Sequence, residues 1–130
     1  MMNQRACRTC ALLAVLLLAG CQPIKVEKSL SIFGGGVEAL IFDAPRYDQK
    51  LNVQVSSPGA PVSVFLVRES EMNKAREEME RGKPPATSLA GKAGAEEITL
   101  DATVPSGTAY VLLIRADKMK AEAKVKLTGR

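Results

Sequence analysis

Between Met119 and Leu127 every second residue is apolar: Met119, Ala121, Ala123, Val125 and Leu127 alternate with Lys120, Glu122, Lys124 and Lys126. Successive side chains of an extended strand point to opposite faces, so this stretch fits a strand with one dry face and one wet face. A helix would scatter the same residues around its circumference. The dry face demands a second layer to cover it, and further strands are therefore expected elsewhere in the chain. The lysines read in two ways. They keep an exposed strand from pairing with other chains, or they form a cationic strip facing anionic lipid headgroups. Glu122 interrupts the strip and favours the first reading.

More strands are easy to find. Leu51, Val53 and Val55 alternate with Asn52, Gln54 and Ser56, and Ile98, Leu100 and Ala102 repeat the pattern. Residues 62–67 (VSVFLV) and 110–114 (YVLLI) are apolar on both faces, as expected of central strands. Turn chemistry separates them: Ser57-Pro58-Gly59-Ala60-Pro61, Pro105-Ser106-Gly107 and Ala116-Asp117-Lys118. The run of proline and glycine at 57–61 predicts a hairpin between Leu51–Val55 and the 62–67 strand. The expected core comprises Leu51, Val53, Val55, Val62, Val64, Leu66, Ile98, Leu100, Tyr110, Leu112, Ile114, Met119, Val125 and Leu127.

Residues 70–81 break the β pattern. Met72, Ala75 and Met79 form a narrow stripe at helical spacing among charged residues. Ser70 is the expected cap, Gly82 and Pro84-Pro85 the stop, and Glu77–Arg81 a favourable ion pair. A short surface helix across a sheet edge follows; its small, flexible stripe would make a poor anchor for a partner. Residues 83–97, rich in Ala, Gly, Pro and Lys, read as a long mobile loop. Gly34-Gly35-Gly36 reads as a hinge, matching no phosphate-binding pattern. Asp43 and Asp48 lack the spacing of a calcium loop. The fold class expected is mainly β: an antiparallel β-sandwich with one short helical insertion.

At the N-terminus, Arg5 and Arg8 precede nine apolar or small residues, 11–19, and the stretch ends in Leu18-Ala19-Gly20-Cys21. That is a secretory signal pattern, and it is shorter than the roughly 20 apolar residues of a membrane span. Leu-Ala-Gly-Cys resembles the lipobox of bacterial lipoproteins. The resemblance implies signal cleavage between Gly20 and Cys21, with a diacylglyceryl thioether at Cys21 anchoring the chain in membrane lipid. Two or more acyl chains give stable anchoring where one does not. With Gln22 rather than aspartate after the cysteine, the resemblance implies the outer membrane, facing the periplasm, in a host that has one. The expected organisation is a signal peptide at 1–20, a lipidated N-terminus and tether at 21–36, and the sandwich at 37–130; the weak alternation of Ile24, Val26, Leu30 and Ile32 leaves a second reading open, in which residues 22–33 form a first edge strand. A chain starting at Val37 is then expected to fold on its own as a soluble monomer.

Composition narrows the chemistry. Removing Arg5 and Arg8 reduces 18 basic side chains to 16, against 14 acidic ones, too even a balance for a dedicated nucleic-acid binder. Cys7 and Cys10 sit in the segment expected to be discarded, so a mature disulfide is not available. The absence of histidine removes the usual acid–base and metal-ligand side chain. Neither Ser-x-x-Lys nor Gly-x-Ser-x-Gly occurs, and the acidic pairs Glu77-Glu78 and Glu96-Glu97 need no functional explanation. No catalytic residue, metal site or cofactor is expected.

From Leu51 to Leu127 the element order is similar to small secreted sandwiches of the pre-peptidase C-terminal type, through Val104-Pro105 and Tyr110-Val111. The resemblance implies an accessory or binding module, and fold does not settle function. The expected role is a lipid-anchored, non-catalytic binding or structural module of the cell envelope. Two alternatives stay open: an inhibitor or immunity-type lipoprotein with a specific protein partner, and an enzyme using a serine or carboxylate site.

Overall fold

The computed structural model describes residues 24–130, so Gly20, Cys21 and the signal pattern lie outside the described residues. Eight strands follow in order: β1 (Ile24–Ile32), β2 (Val37–Phe42), β3 (Gln49–Ser56), β4 (Val62–Arg68), β5 (Ala90–Ala95), β6 (Glu97–Val104), β7 (Tyr110–Ala116) and β8 (Ala121–Gly129). A 3-10 turn at Glu69–Glu71 leads into one helix, α1 (Met72–Glu80), between β4 and β5. The strands form two four-stranded sheets, ordered β1-β8-β3-β6 and β2-β7-β4-β5, and all the strand pairs are antiparallel. This is the sandwich the alternation predicts. Inward residues of β3, β6 and β8 meet those of β4 and β7, and Ile32, Val53, Leu66, Leu112 and Leu127 are almost fully buried. Tyr110 is buried too; its ring stacks on Phe42 at 5.1 Å, its hydroxyl donates to Gln49 Oε1 at 3.3 Å, and burial raises its pKa.

The apolar character of β4 and β7 on both faces has a direct cause. One face lines the core between the sheets. The other carries Phe65, Val67, Val111 and Leu113, which pack with Val37 under Ala75 and Met79 of α1. The helix therefore covers the outer face of the second sheet rather than an edge. Ser70 does not cap it: α1 begins after the 3-10 turn with no side-chain cap. Gly82, at φ 77°, ends it as expected. The intrahelical ion pair is Arg76–Glu80 at 3.5 Å instead of Glu77–Arg81.

Five other expectations are corrected. β3 and β4 are not a hairpin; they lie in different sheets, and the 57–61 link carries the chain across the sandwich. The Ser57 hydroxyl, fully buried, donates to the Ala60 carbonyl at 2.6 Å and holds that crossing turn. Met119 is 55% exposed, because the turn after β7 extends through it and the buried alternation starts at Ala121.

Residues 83–97 contain β5, which completes the second sheet beside β4. Its alanines and glycines carry no strand signal, but Gly91 lies against the Phe65 ring, where a Cβ would come within 2.1 Å of Cδ1. Only glycine lets the aromatic ring and this backbone approach so closely.

Of the two readings open for residues 22–33, the edge strand is the one formed, and the tether reading is corrected. Ile24–Ile32 pairs residue by residue with β8, from Ile24↔Gly129 to Ile32↔Ala121. Ile32 joins the core, and Val26 and Leu30 pack against it. The glycine run does not act as a hinge: the Gly35 amide donates to the Ala116 carbonyl at 2.6 Å, and the Ala116 amide to the Gly36 carbonyl at 3.2 Å. A Cβ at Gly34 would sit 2.7 Å from the Lys118 carbonyl oxygen. The sandwich therefore begins at β1, ahead of Val37.

Candidate functional site: the outer face of the first sheet

α1 covers the outer face of the second sheet, whereas no element among the described residues covers that of the first. Its rows follow from the registers. Glu27, Lys126, Gln54 and Thr99 lie side by side across four strands, and Ser29, Lys124, Ser56 and Glu97 form the next row. Together they border a shallow groove of about 630 Å³. β8 lies second in its sheet, flanked by β1 and β3, so its lysines do not guard an edge; they occupy the middle of the open face.

The acidic neighbours are already engaged. Glu27 pairs with Lys25 at 3.7 Å and Glu122 with Lys120 at 3.6 Å. Ser56 Oγ donates to Glu97 Oε1 at 2.6 Å, Ser31 Oγ to Glu122 Oε1 at 3.0 Å, and Asn52 Nδ2 to Asp101 Oδ1 at 2.9 Å. Among the described residues, Lys124 and Lys126 enter no ion pair. The centre of the face thus presents two ammonium groups outside any ion pair, while Glu97 and Asp101, hydrogen-bonded to neutral side chains, keep their negative charge on the neighbouring β6 side. Such a surface suits an acidic, hydrogen-bond-accepting partner, with charge contributing more to encounter and choice than to raw affinity.

A second polar cluster lies where β4, β5 and β7 meet the C-terminal end of α1. Asp117 Oδ1 accepts from Ser63 Oγ at 2.8 Å and from Arg115 Nη1 at 3.2 Å, while the Gly94 amide donates to Ser63 Oγ at 3.2 Å. These bonds tie β5 to its neighbours, a structural task. Asp48, considered above for a cation, instead accepts from the Ser106 amide at 3.0 Å and joins two loops. Among the described residues no group of three or more His, Cys, Asp or Glu side chains is placed to hold a metal. Nor is any helix among them long and apolar enough to cross a membrane.

Sequence reasoning finds the lysine strip and misses its neighbours. Glu27 and Ser29 fall in the segment that reads as tether or edge strand and Glu97 at the end of the 83–97 loop, while Gln54, Ser56 and Thr99 show only as wet positions of separate strands. Their signal is the polar half of each alternation; which halves stand side by side is a matter of sheet order.

No family model and no curated protein matches the chain. Its fold has solved counterparts. The Yersinia pseudotuberculosis-derived mitogen aligns over 82% of this chain and 86% of its own, with a TM-score of 0.57 and 13% identity. The pre-peptidase C-terminal domain of Bacillus anthracis collagenase aligns over 80% and 89%, with a TM-score of 0.53 and 15% identity. Aeromonas hydrophila PliG, a periplasmic lysozyme inhibitor of g-type lysozyme, aligns over 83% and 86%, with a TM-score of 0.53 and 7% identity. At these identities the likeness is one of fold, and the chain is a small β-sandwich of the kind these three proteins contain.

Proposed function

We propose that this protein is a lipid-anchored envelope lipoprotein whose sandwich binds a protein partner, without catalysis, through the outer face of the first sheet. The observation that carries the anchor is Leu18-Ala19-Gly20-Cys21 at the end of an apolar signal run. Support for the binding face comes from Lys124 and Lys126, which stand outside any ion pair at the middle of a sheet face that no other described element covers. The absence of histidine from the sequence supports a non-catalytic role. Gln22 favours the outer membrane in a host with two membranes, with the domain in the periplasm. Cys21→Ala is expected to abolish palmitate labelling and to leave an uncut precursor in the membrane fraction; unchanged labelling refutes the anchor.

A narrower reading is an inhibitor-type lipoprotein, favoured by the fold it shares with a periplasmic lysozyme inhibitor. Photo-crosslinking from position 54, beside Lys126 on the same face, in intact envelopes tests both. One enzyme captured in stoichiometric amount, and inhibited by the purified domain, supports the inhibitor. A captured protein whose activity is unchanged supports a binding module alone.

A further inference from the structure

The two ends of the sandwich differ in what they expose and in how far they lie from the expected anchor. Ile24 opens β1, and only Gln22 and Pro23 separate it from Cys21. Three residues span about 10 Å even when fully extended. A sheet strand therefore begins almost at the site of lipid attachment. The nine residues of β1 carry the chain about 30 Å onward to the opposite end, at a strand rise of about 3.3 Å per residue.

At the end where β1 starts, the 43–48 loop is held beside the 105–109 loop by the Gly107 amide donating to the Pro45 carbonyl at 2.8 Å and by the Asp48–Ser106 bond. β1 is joined to the same end through Ile24↔Gly129, and the chain's last residue pairs there with Lys50 in both directions, at 2.9 and 3.1 Å. From this braced loop Tyr47 projects, 80% exposed, with Arg46 beside it. Ile24 is 38% exposed at the same end. Among the described residues neither Arg46 nor Lys50 enters an ion pair. A tyrosine with an apolar ring and a polar tip, accompanied by cationic side chains, is suited to the headgroup layer of a bilayer. The far end exposes Phe33 and Met119, at 79% and 55%, but a 10 Å tether cannot bring it down while the sandwich stands upright.

We infer that the lipidated protein stands on the bilayer on the end that carries Tyr47, with Phe33 and Met119 held away from the membrane. This inference rests on the lipid-anchor reading above. The bilayer then becomes a second, weak binding surface for the domain, and the open sheet face stands roughly upright, accessible from the side.

The test uses the processed full-length lipoprotein in vesicles of phosphatidylethanolamine and phosphatidylglycerol containing a headgroup-nitroxide phospholipid. Cys7 and Cys10 leave with the signal and Cys21 is capped by its thioether, so Ala44→Cys or Lys118→Cys supplies the one thiol for a fluorophore. Both positions are exposed, at opposite ends of the sandwich. Quenching at position 44 is expected to exceed that at 118 severalfold, and Tyr47→Ser is expected to narrow the difference. Equal or stronger quenching at 118 overturns the orientation, as it would if the domain lay along its β1 edge. A difference unchanged by Tyr47→Ser overturns the tyrosine contact. The mass of the mature N-terminal peptide reads the anchor separately: no diacylglyceryl on Cys21 overturns both readings, whereas acyl present with equal quenching overturns the orientation alone.

Discussion

The outer faces of the two sheets differ: the central strands of the second are apolar on both sides, and those of the first alternate. On the second sheet, Phe65, Val67, Val111 and Leu113 are buried beneath α1. On the first, the corresponding positions are Gln54, Thr99, Lys124 and Lys126, and water covers them. The difference teaches that a strand apolar on both sides needs a covering element nearby. Here the chain supplies one in the insertion between β4 and β5. The strands with one polar side need nothing, so their face stays available for recognition.

The largest effect is expected from removing β1. A chain starting at Val37 loses Ile32 from the core and leaves β8 with a bare edge, and its core face loses Val26 and Leu30. Domains of this size are stable by only about 5–15 kcal/mol. Such a chain is expected to aggregate or to lose cooperative melting by circular dichroism. A soluble monomer with an unchanged melting temperature would show that the first sheet is complete without β1.

Next comes the covered face. Leu113→Ala is expected to cost about 2–5 kcal/mol, because the side chain is fully buried and the sheet and α1 can collapse only partly onto the gap. Urea unfolding monitored by circular dichroism measures it. A loss below about 0.5 kcal/mol, the range of ordinary surface changes, would mean that α1 does not seal this face.

The smallest effect on stability belongs to the open face. Lys124→Glu together with Lys126→Glu should leave the urea midpoint nearly unchanged, within about 0.5 kcal/mol per site, while abolishing crosslinking from the same face. Retained crosslinking would move the partner elsewhere on the molecule. Loss of stability comparable with Leu113→Ala would make the face structural and end the contrast between the two sheets.

Much of this fold can be read from residue patterns, and the failures share a cause. Val53, Val55, Val125 and Leu127 alternate strictly, and all four are buried. β5 is not legible because its sequence, AGKAGA, has no apolar alternation; Phe65 on the neighbouring strand, with Gly91 beneath its ring, gives it a place. β1 stays ambiguous in the sequence because Lys28 interrupts the alternation of Val26, Leu30 and Ile32, and only Ile32 of the three is fully buried. The glycine run reads as freedom, yet Gly34 marks close approach to a neighbouring backbone. The candidate site was half legible: Lys124 and Lys126 stand out in the alternation, whereas Glu27, Gln54 and Ser56 gain meaning only beside them.

By itself, the sequence determined which residues face inward along each strongly alternating strand, where the turns fall, and that one helix interrupts the strands. These follow from local periodicity and from the backbone preferences of proline and glycine, which act over a few residues. Tertiary structure alone decided which sheet each strand joins, that β3 and β4 part company across the core, that α1 lies on a face, and which polar residues form one surface. Those choices depend on pairing between residues up to about a hundred positions apart, such as Ile24 with Gly129, and no local pattern encodes that pairing.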